Sequence, residues 1–282
     1  MIVDPAIAAL RRDQAMQRRI AERMERTAAA WRSLVQVDAI EQDIARYARG
    51  EALGDCARLA AIMENHAAAA RFVDGFVTSM IAALHHEPLG EVCFSYTCAG
   101  GLSRIHLIST DQAALSVLAY EPLEHRAGSP VSAVFADRES VEIVVSGAGS
   151  GAFHALKRGG ALQSKNRSFA AGDQMVCRAG SETRQIHSVS ETLVILQLTR
   201  DAQPAGPTRE VDLNNGKVLK TASGDKAASQ ALMAMAVLGA IGHHDAFDIM
   251  EQVALTAHED ADVRWEAVRQ TLAMDAGRGL AL

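Results

Sequence analysis

The stretch LSRIHLISTDQAALSVLAYEP, residues 102–122, decides how the chain is read. It holds two short β-rich runs, LSRIHLIST and ALSVLAYEP, divided by Asp111 and Gln112. Short apolar-rich runs bounded by turn residues read as strands rather than helices. Outward from it the pattern continues. EVCFSYTC precedes it, and VSAVF, SVEIVVSG, GAFHAL, DQMVCR, RQIHSV and TLVILQLT follow, separated by Gly, Pro, Asp and Ser clusters. About nine short strands at this spacing predict an antiparallel sandwich or barrel. REVDLNNGKVLKTA, residues 209–222, adds a hairpin, because Asn215-Gly216 suits a two-residue turn that needs positive φ.

Both flanks read as helical. Asp4-Pro5 is a helix start signal, and Ile7, Leu10, Ile20, Met24, Ala28, Trp31 and Leu34 follow as one apolar stripe. A second helix is expected over about 38–49, with Ile40, Ile44 and Tyr47 on one side. A third covers about 53–84, interrupted near Gly75 and closed by His85-His86-Glu87-Pro88. After the β region, residues 227–241, 246–257 and 263–274 give three more helices. The last stretch, DADVRWEAVRQTLAMDAGRGLAL, resembles a HEAT-type repeat unit, which implies helices packed on the β region or on a partner. The expected fold is therefore α+β. An N-terminal helical region (1–90) and a C-terminal HEAT-like one (223–282) flank a central antiparallel β-barrel of jelly-roll type (91–222).

Composition narrows the function classes. Over 282 residues, a net charge of -6 gives no global attraction to nucleic acid or anionic lipid. Arg11, Arg12, Arg18, Arg19, Arg23, Arg26 and Arg32 make the start locally basic, but Asp13, Glu22 and Glu25 interleave with them, so a solvated helix face is expected. No apolar run nears the roughly 20 residues of a membrane span, and no leader-type apolar segment opens the chain. The four cysteines, Cys56, Cys93, Cys98 and Cys177, form no CxxC pair; reduced thiols in a cytoplasmic protein are expected.

The order of the β region over 94–199 resembles the cupin superfamily, within it the cysteine-dioxygenase-like branch. The residues that carry the resemblance are FSYTCAGGLSRIHLIST, Leu123-Glu124-His125-Arg126 with Ser132 downstream, and Gly172-Asp173 followed by His187. The resemblance implies a His-x-His metal motif in which Leu123 stands where the first histidine is expected. Side chains at i and i+2 of a strand share a face, so such a pair aims at one ion inside a barrel, and a distant histidine completes the set. His125 and His187 alone leave the site one ligand short. Glu121, on the face of His125 by parity, and His154 on another strand are the candidates to complete it. Fe(II) is the implied metal if they do, and no metal if they do not. Arg126 or Arg184 would pair with a substrate carboxylate. A second register sets Glu142 and Gly149 as the end of the commoner cupin motif, with the histidine pair falling near Asp137 or Arg138, neither of which is histidine.

Plainer readings stand beside these. His106 and His154 alternate with apolar residues, as hydrogen-bonded core histidines do, and His85-His86 and His243-His244 suit helix ends. SGAGSGAF is followed by a strand-like run rather than the helix a phosphate loop needs, so it reads as a hairpin. Cys93 and Cys98 could face the barrel interior. Two functions follow. One is a degenerate cupin-like module that binds a small molecule in the barrel or a protein partner on the helical tail, plausibly as a homodimer. The alternative is a mononuclear non-haem iron dioxygenase-like enzyme acting on a small thiol or amino-acid-like substrate.

Overall fold

A computed structural model describes residues 7, 13–122, 130–157, 160–256 and 260–280. The Asp4-Pro5 start signal and the Leu123–Arg126 motif lie outside the described residues. Helix α1 (Gln14–Arg32) is capped by the Asp13 carboxylate, which accepts from the Met16 amide, and buries Ile20, Met24, Ala28 and Trp31. Its arginines Arg18, Arg19, Arg23 and Arg26 are exposed, as the interleaved charges predict. α2 (Val35–Ala48) starts three residues earlier than the sequence pattern suggests.

The expected break near Gly75 is instead at Asn65. There α3 (Ala57–Glu64) ends and α4 (His66–His86) begins, because the Asn65 side chain accepts from the Ala68 amide and caps the new helix. Gly75 sits inside α4 with open space around it, so nothing forces a kink. Buried Asp43 of α2 caps α3 from outside, accepting from the Arg58 and Leu59 amides at 2.7 and 3.2 Å. α4 is long and apolar enough to cross a membrane, which the sequence reading did not anticipate. Its Phe72, Val73, Phe76 and Met80 are buried in a core cluster shared with the sheet.

Twelve strands follow: β1 (Tyr96–Ala99), β2 (Leu102–Ser109), β3 (Ala113–Tyr120), β4 (Ser132–Phe135), β5 (Arg138–Ser146), β6 (Ala148–Leu156), β7 (Leu162–Ala170), β8 (Gln174–Cys177), β9 (Glu182–Val189), β10 (Leu193–Asp201), β11 (Thr208–Asp212) and β12 (Val218–Ala222). All pairings are antiparallel. The order is β1-β2-β3-β10-β5-β8 in a six-stranded sheet, β12-β11-β4 in one three-stranded sheet and β7-β6-β9 in the other. These sheets are open: among the described residues no pairing joins them into a hydrogen-bonded cylinder, so the closed barrel expected from the strand count is a layered arrangement instead. The β11–β12 connection is longer than the two-residue turn expected. Asp212 donates its amide to the Lys217 carbonyl, its carboxylate accepts from the Asn214 amide, and Gly216 supplies the positive φ of 73°.

SGAGSGAF is a hairpin, as read. Gly147 turns β5 into β6 at φ 82°, while Gly149 and Gly151 lie within β6, where an added Cβ would meet the β9 backbone at 2.6 and 2.2 Å. One face of the six-stranded sheet carries Leu107, Leu115, Ile143, Leu196 and Leu198 into a core with Trp31, Phe72, Phe76 and Phe94. Those aromatic rings meet edge-on or tilted at 5.1 to 5.9 Å. The other face packs Leu118, Val144, Leu193 and Ile195 against Phe153, Phe169 and Ile186 of the β7-β6-β9 sheet. After β12 come α5 (Lys226–Ala240), α6 (Phe247–Leu255), α7 (Ala261–Met274) and α8 (Ala276–Gly279), which share a cluster of their own around Met235, Met250 and Ala267.

Candidate functional site

Directly paired residues in a sheet share a face, so register alone places side chains. His106 of β2 pairs with Ser116 of β3, Ser116 with Gln197 of β10, and Gln197 with Glu142 of β5. One polar row therefore crosses neighbouring strands on the inner face, in chain segments that are otherwise apolar. The row is deep: Ser116 is 2% exposed, Gln197 8% and Glu142 1%.

Its hydrogen bonds are made along the row and across the gap. His106 Nδ1 and Ser116 Oγ are 2.9 Å apart, and Gln197 Nε2 donates to Glu142 Oε1. Arg184 of β9 shares a face with Phe153, and Phe153 packs against the six-stranded sheet, so the guanidinium reaches over to Glu142. It binds the carboxylate through two nitrogens, Nε to Oε2 and Nη2 to Oε1, the latter at 2.7 Å. Nη1 donates to the Tyr120 hydroxyl at 3.3 Å. Both side chains of the pair are nearly dry, at 9% and 2% exposure.

Electrostatics follows from that dryness. Burial works against the Arg184 charge, but the Glu142 carboxylate and Tyr120 hydroxyl outweigh it, so the guanidinium is held above its usual value. The Cys177 thiol, on the neighbouring strand β8, is pushed up to about 11 by burial and then by Glu142. It stays protonated near neutral pH and is a poor nucleophile. Burial, then Arg104 and Arg138, lowers the His106 imidazole.

These groups line a cavity of about 600 Å³, with Arg104, His106, Ser116, Glu142, Arg184 and Gln197 on its walls. Below it the inner face is apolar, closed by Leu118, Val144 and Ile195. The chemistry on offer is hydrogen bonding and charge recognition. The Glu142 carboxylate, the natural general base of such a site, is already occupied by Arg184 and Gln197.

The sequence-predicted residues are dispersed. His125 and Arg126 lie outside the described residues. Arg184 is in the cavity, but its guanidinium is engaged by Glu142. Glu121 is exposed just past the end of β3, with its amide bonded to the Gly101 carbonyl. His154 lies on the face of β6 opposite to Phe153 and Arg184, and His187, at the bulge in β9, is close enough to disfavour its protonation. His154 is a buried, satisfied histidine as the plainer reading expects: Nδ1 is 2.8 Å from Ser164 Oγ, Nε2 is 3.2 Å from Gln185 Oε1, and burial lowers its pKa. The Nε2 of His187 is buried without a partner. Cys93 and Cys98 are exposed rather than turned into the interior.

Ser116, Tyr120, Gln197 and Arg104 were missed by the sequence reading. The signal was present: ALSVLAY, VILQLT, SVEIVV and SRIHLI each carry polar residues inside an apolar strand. Only their register shows that those residues meet. A facial iron site needs three converging ligands with open positions beside them. Among the described residues no three His, Cys, Asp or Glu side chains converge that way, and His125, the other predicted ligand, lies outside the described residues.

No protein-family model matches the sequence, and no curated protein is similar to it. Solved structures overlap parts of it. Oxalate decarboxylase from Bacillus subtilis aligns with a TM-score of 0.31 at 10% identity, covering 44% of this chain and 31% of that one. KdgF from a Halomonas species aligns at 0.28 and 14% identity, over 39% of this chain and 89% of that one. A protein described as a putative mannose-6-phosphate isomerase from Ralstonia eutropha JMP134 aligns at 0.29 and 16% identity, over 37% and 88%. Thus the chain spans about a third of the oxalate decarboxylase. Likeness at this level assigns no activity.

Proposed function

We propose that this protein is a non-catalytic cupin-like module that holds a small polar molecule in its sandwich cavity and offers its C-terminal helices to a protein partner. The observation that carries the reading is the buried row His106–Ser116–Gln197–Glu142 closed by Arg184 over an open cavity. Stability alone does not account for it, since buried ion pairs can often be replaced by apolar residues without loss. A concave site with a few converging polar groups is the usual form of a ligand pocket. Groups that would do chemistry there are committed elsewhere: Glu142 to Arg184, Cys177 to its protonated form.

Support for the partner comes from the tail. Met233, Val237 and Ile241, four residues apart along and just past α5, are 67%, 58% and 69% exposed, and Trp265 of α7 is 66% exposed. Small carboxylates, phosphates, sugars and amino acids, screened by thermal shift and confirmed by calorimetry, should yield a binder. Ser116→Phe, which fills the cavity, should abolish its binding. Turnover of that molecule by the protein, or no binder in any class, overturns the reading.

One observation favours an iron-binding alternative: the orphaned Nε2 of His187, the kind of atom a metal would satisfy. About one equivalent of iron in purified protein, lost in His187→Ala, would establish it over the metal-free reading.

A further inference from the structure

Carboxylates outnumber arginines around the cavity, and two of its three arginines are paired with them. Arg138 is bonded to Asp201, with Nη2 to Oδ2 at 3.0 Å. Arg184 is bonded to Glu142, and Glu182 accepts from the Arg178 amide at 3.1 Å. Arg104 has no such match among the described residues: its Nε is buried without a hydrogen-bond partner there. By register Arg104 sits opposite Leu118, which is fully buried, at the boundary between the apolar floor and the polar row. A guanidinium nitrogen withdrawn from water and left unbonded is costly, and carboxylate or phosphate oxygens are the groups its fork fits.

Two residues along the same face of β2 is His106. Its Nδ1 faces Ser116 Oγ, while its Nε2 makes no hydrogen bond to a described residue. From its own strand Arg104 faces it, and from β5 Arg138; both disfavour its protonation. Glu142, further along the row, is held by Arg184 and Gln197, and Asp111 lies exposed on the cavity wall. Arg138 and Arg184 thus have their own carboxylates, and Arg104 at the inner end of β2 is the arginine without a dedicated counter-ion among the described residues.

We infer that the ligand of this cavity carries a small oxyanion, a carboxylate or a phosphate, seated on Arg104 and His106. The inference rests on the small-molecule reading above and names its ligand class. A bound anion offsets the neighbouring arginines and lets His106 take up a proton, so binding tightens as pH falls from 8 toward 6. The limit is about tenfold per pH unit for one proton taken up.

Calorimetry on the full chain with succinate, inorganic phosphate and the uncharged analogue succinamide tests it. Succinate or phosphate should bind and succinamide should not, with whichever anion binds naming the acidic group. Arg104→Gln should weaken that anion at least about tenfold, without lowering the melting temperature, because it removes a half-buried guanidinium whose Nε is buried and unbonded; a merely structural arginine would destabilise on removal. His106→Gln should retain binding at pH 8 but lose the tightening at pH 6. Succinamide binding as tightly as succinate, or an unchanged affinity in Arg104→Gln, overturns the anion inference and leaves the small-molecule reading standing. If a broad panel yields no ligand at all, that reading falls and takes this one with it.

Discussion

The six-stranded sheet shows two faces of the same strands. On the outer face Leu107, Leu115, Ile143, Leu196 and Leu198 meet the N-terminal helices, and all are nearly or fully buried. On the inner face, one residue along each strand, stand His106, Ser116, Glu142 and Gln197. Strand geometry forces this alternation, since successive side chains point to opposite sides. The difference teaches where the protein invests stability and where it spends it. Apolar burial on the outer face stabilises without demanding partners, while each polar group inside needs a bond in place to avoid a desolvation cost. A face that accepts that cost beside a cavity is the one on which the proposed ligand would be held.

Breaking the inner face at its most charged point should have the largest effect. Glu142→Ala leaves the Arg184 guanidinium buried without its carboxylate, at a cost of about 3–5 kcal/mol. Chemical denaturation read by circular dichroism checks this. Replacing both partners, Glu142→Leu with Arg184→Met, should recover most of that loss while eliminating ligand binding. A double variant as unstable as Glu142→Ala would mean that the pair is there for folding, and the contrast between the faces would collapse.

The outer face supplies the reference. Leu196→Ala removes a fully buried side chain from the helix–sheet core and should cost about 2–5 kcal/mol. Ligand affinity should be unchanged, because Leu196 points away from the cavity. A matched loss of affinity would show that the two faces are not independent.

Much of this layout is legible in the sequence. The β-rich runs, the helical flanks, the solvated arginine face and the SGAGSGAF hairpin follow from periodicity and turn chemistry that act over a few residues. What failed depended on distance. Asn65, not Gly75, divides the third helix, since a capping side chain outweighs a glycine's weak helix propensity. The site was harder still. Arg184 was named for a substrate carboxylate, and its actual partner, Glu142, lies 42 residues away on another sheet. The β6–β9 register sets His154 on the face opposite Phe153 and Arg184, and His187 falls at the bulge between Ile186 and Ser188. Parity along a strand says which residues share a side; it does not say which side is inner. Ser116 and Gln197 are ordinary polar residues in sequence, and only the β3–β10 register makes them neighbours.

Ser116→Ala sharpens the comparison at a smaller scale. It deletes the hydroxyl that faces His106 Nδ1 at 2.9 Å, at a cost of about 0.5–1.5 kcal/mol. Equilibrium unfolding with and without ligand should show the loss in both. A Ser116→Ala variant more stable than the parent would mean that the row is not a connected network.

The smallest effect expected is a pH dependence, and it distinguishes half-buried His106 from buried His154. Burial lowers the pKa of both His106 and His154, so folding favours the neutral imidazole in each. Their contribution is fully present above the ordinary histidine value of 6.5 and is lost as pH falls below it toward the depressed folded values. Melting temperatures should therefore drop between pH 7 and 5. Saturating succinate or phosphate should remove the part due to His106, which then carries its proton against an anion. It should leave the part due to His154, whose ring nitrogens are held by Ser164 and Gln185 on the opposite face of β6. Equal relief of both, tested by comparing His106→Gln with His154→Gln, would place the anion somewhere other than the inner end of β2.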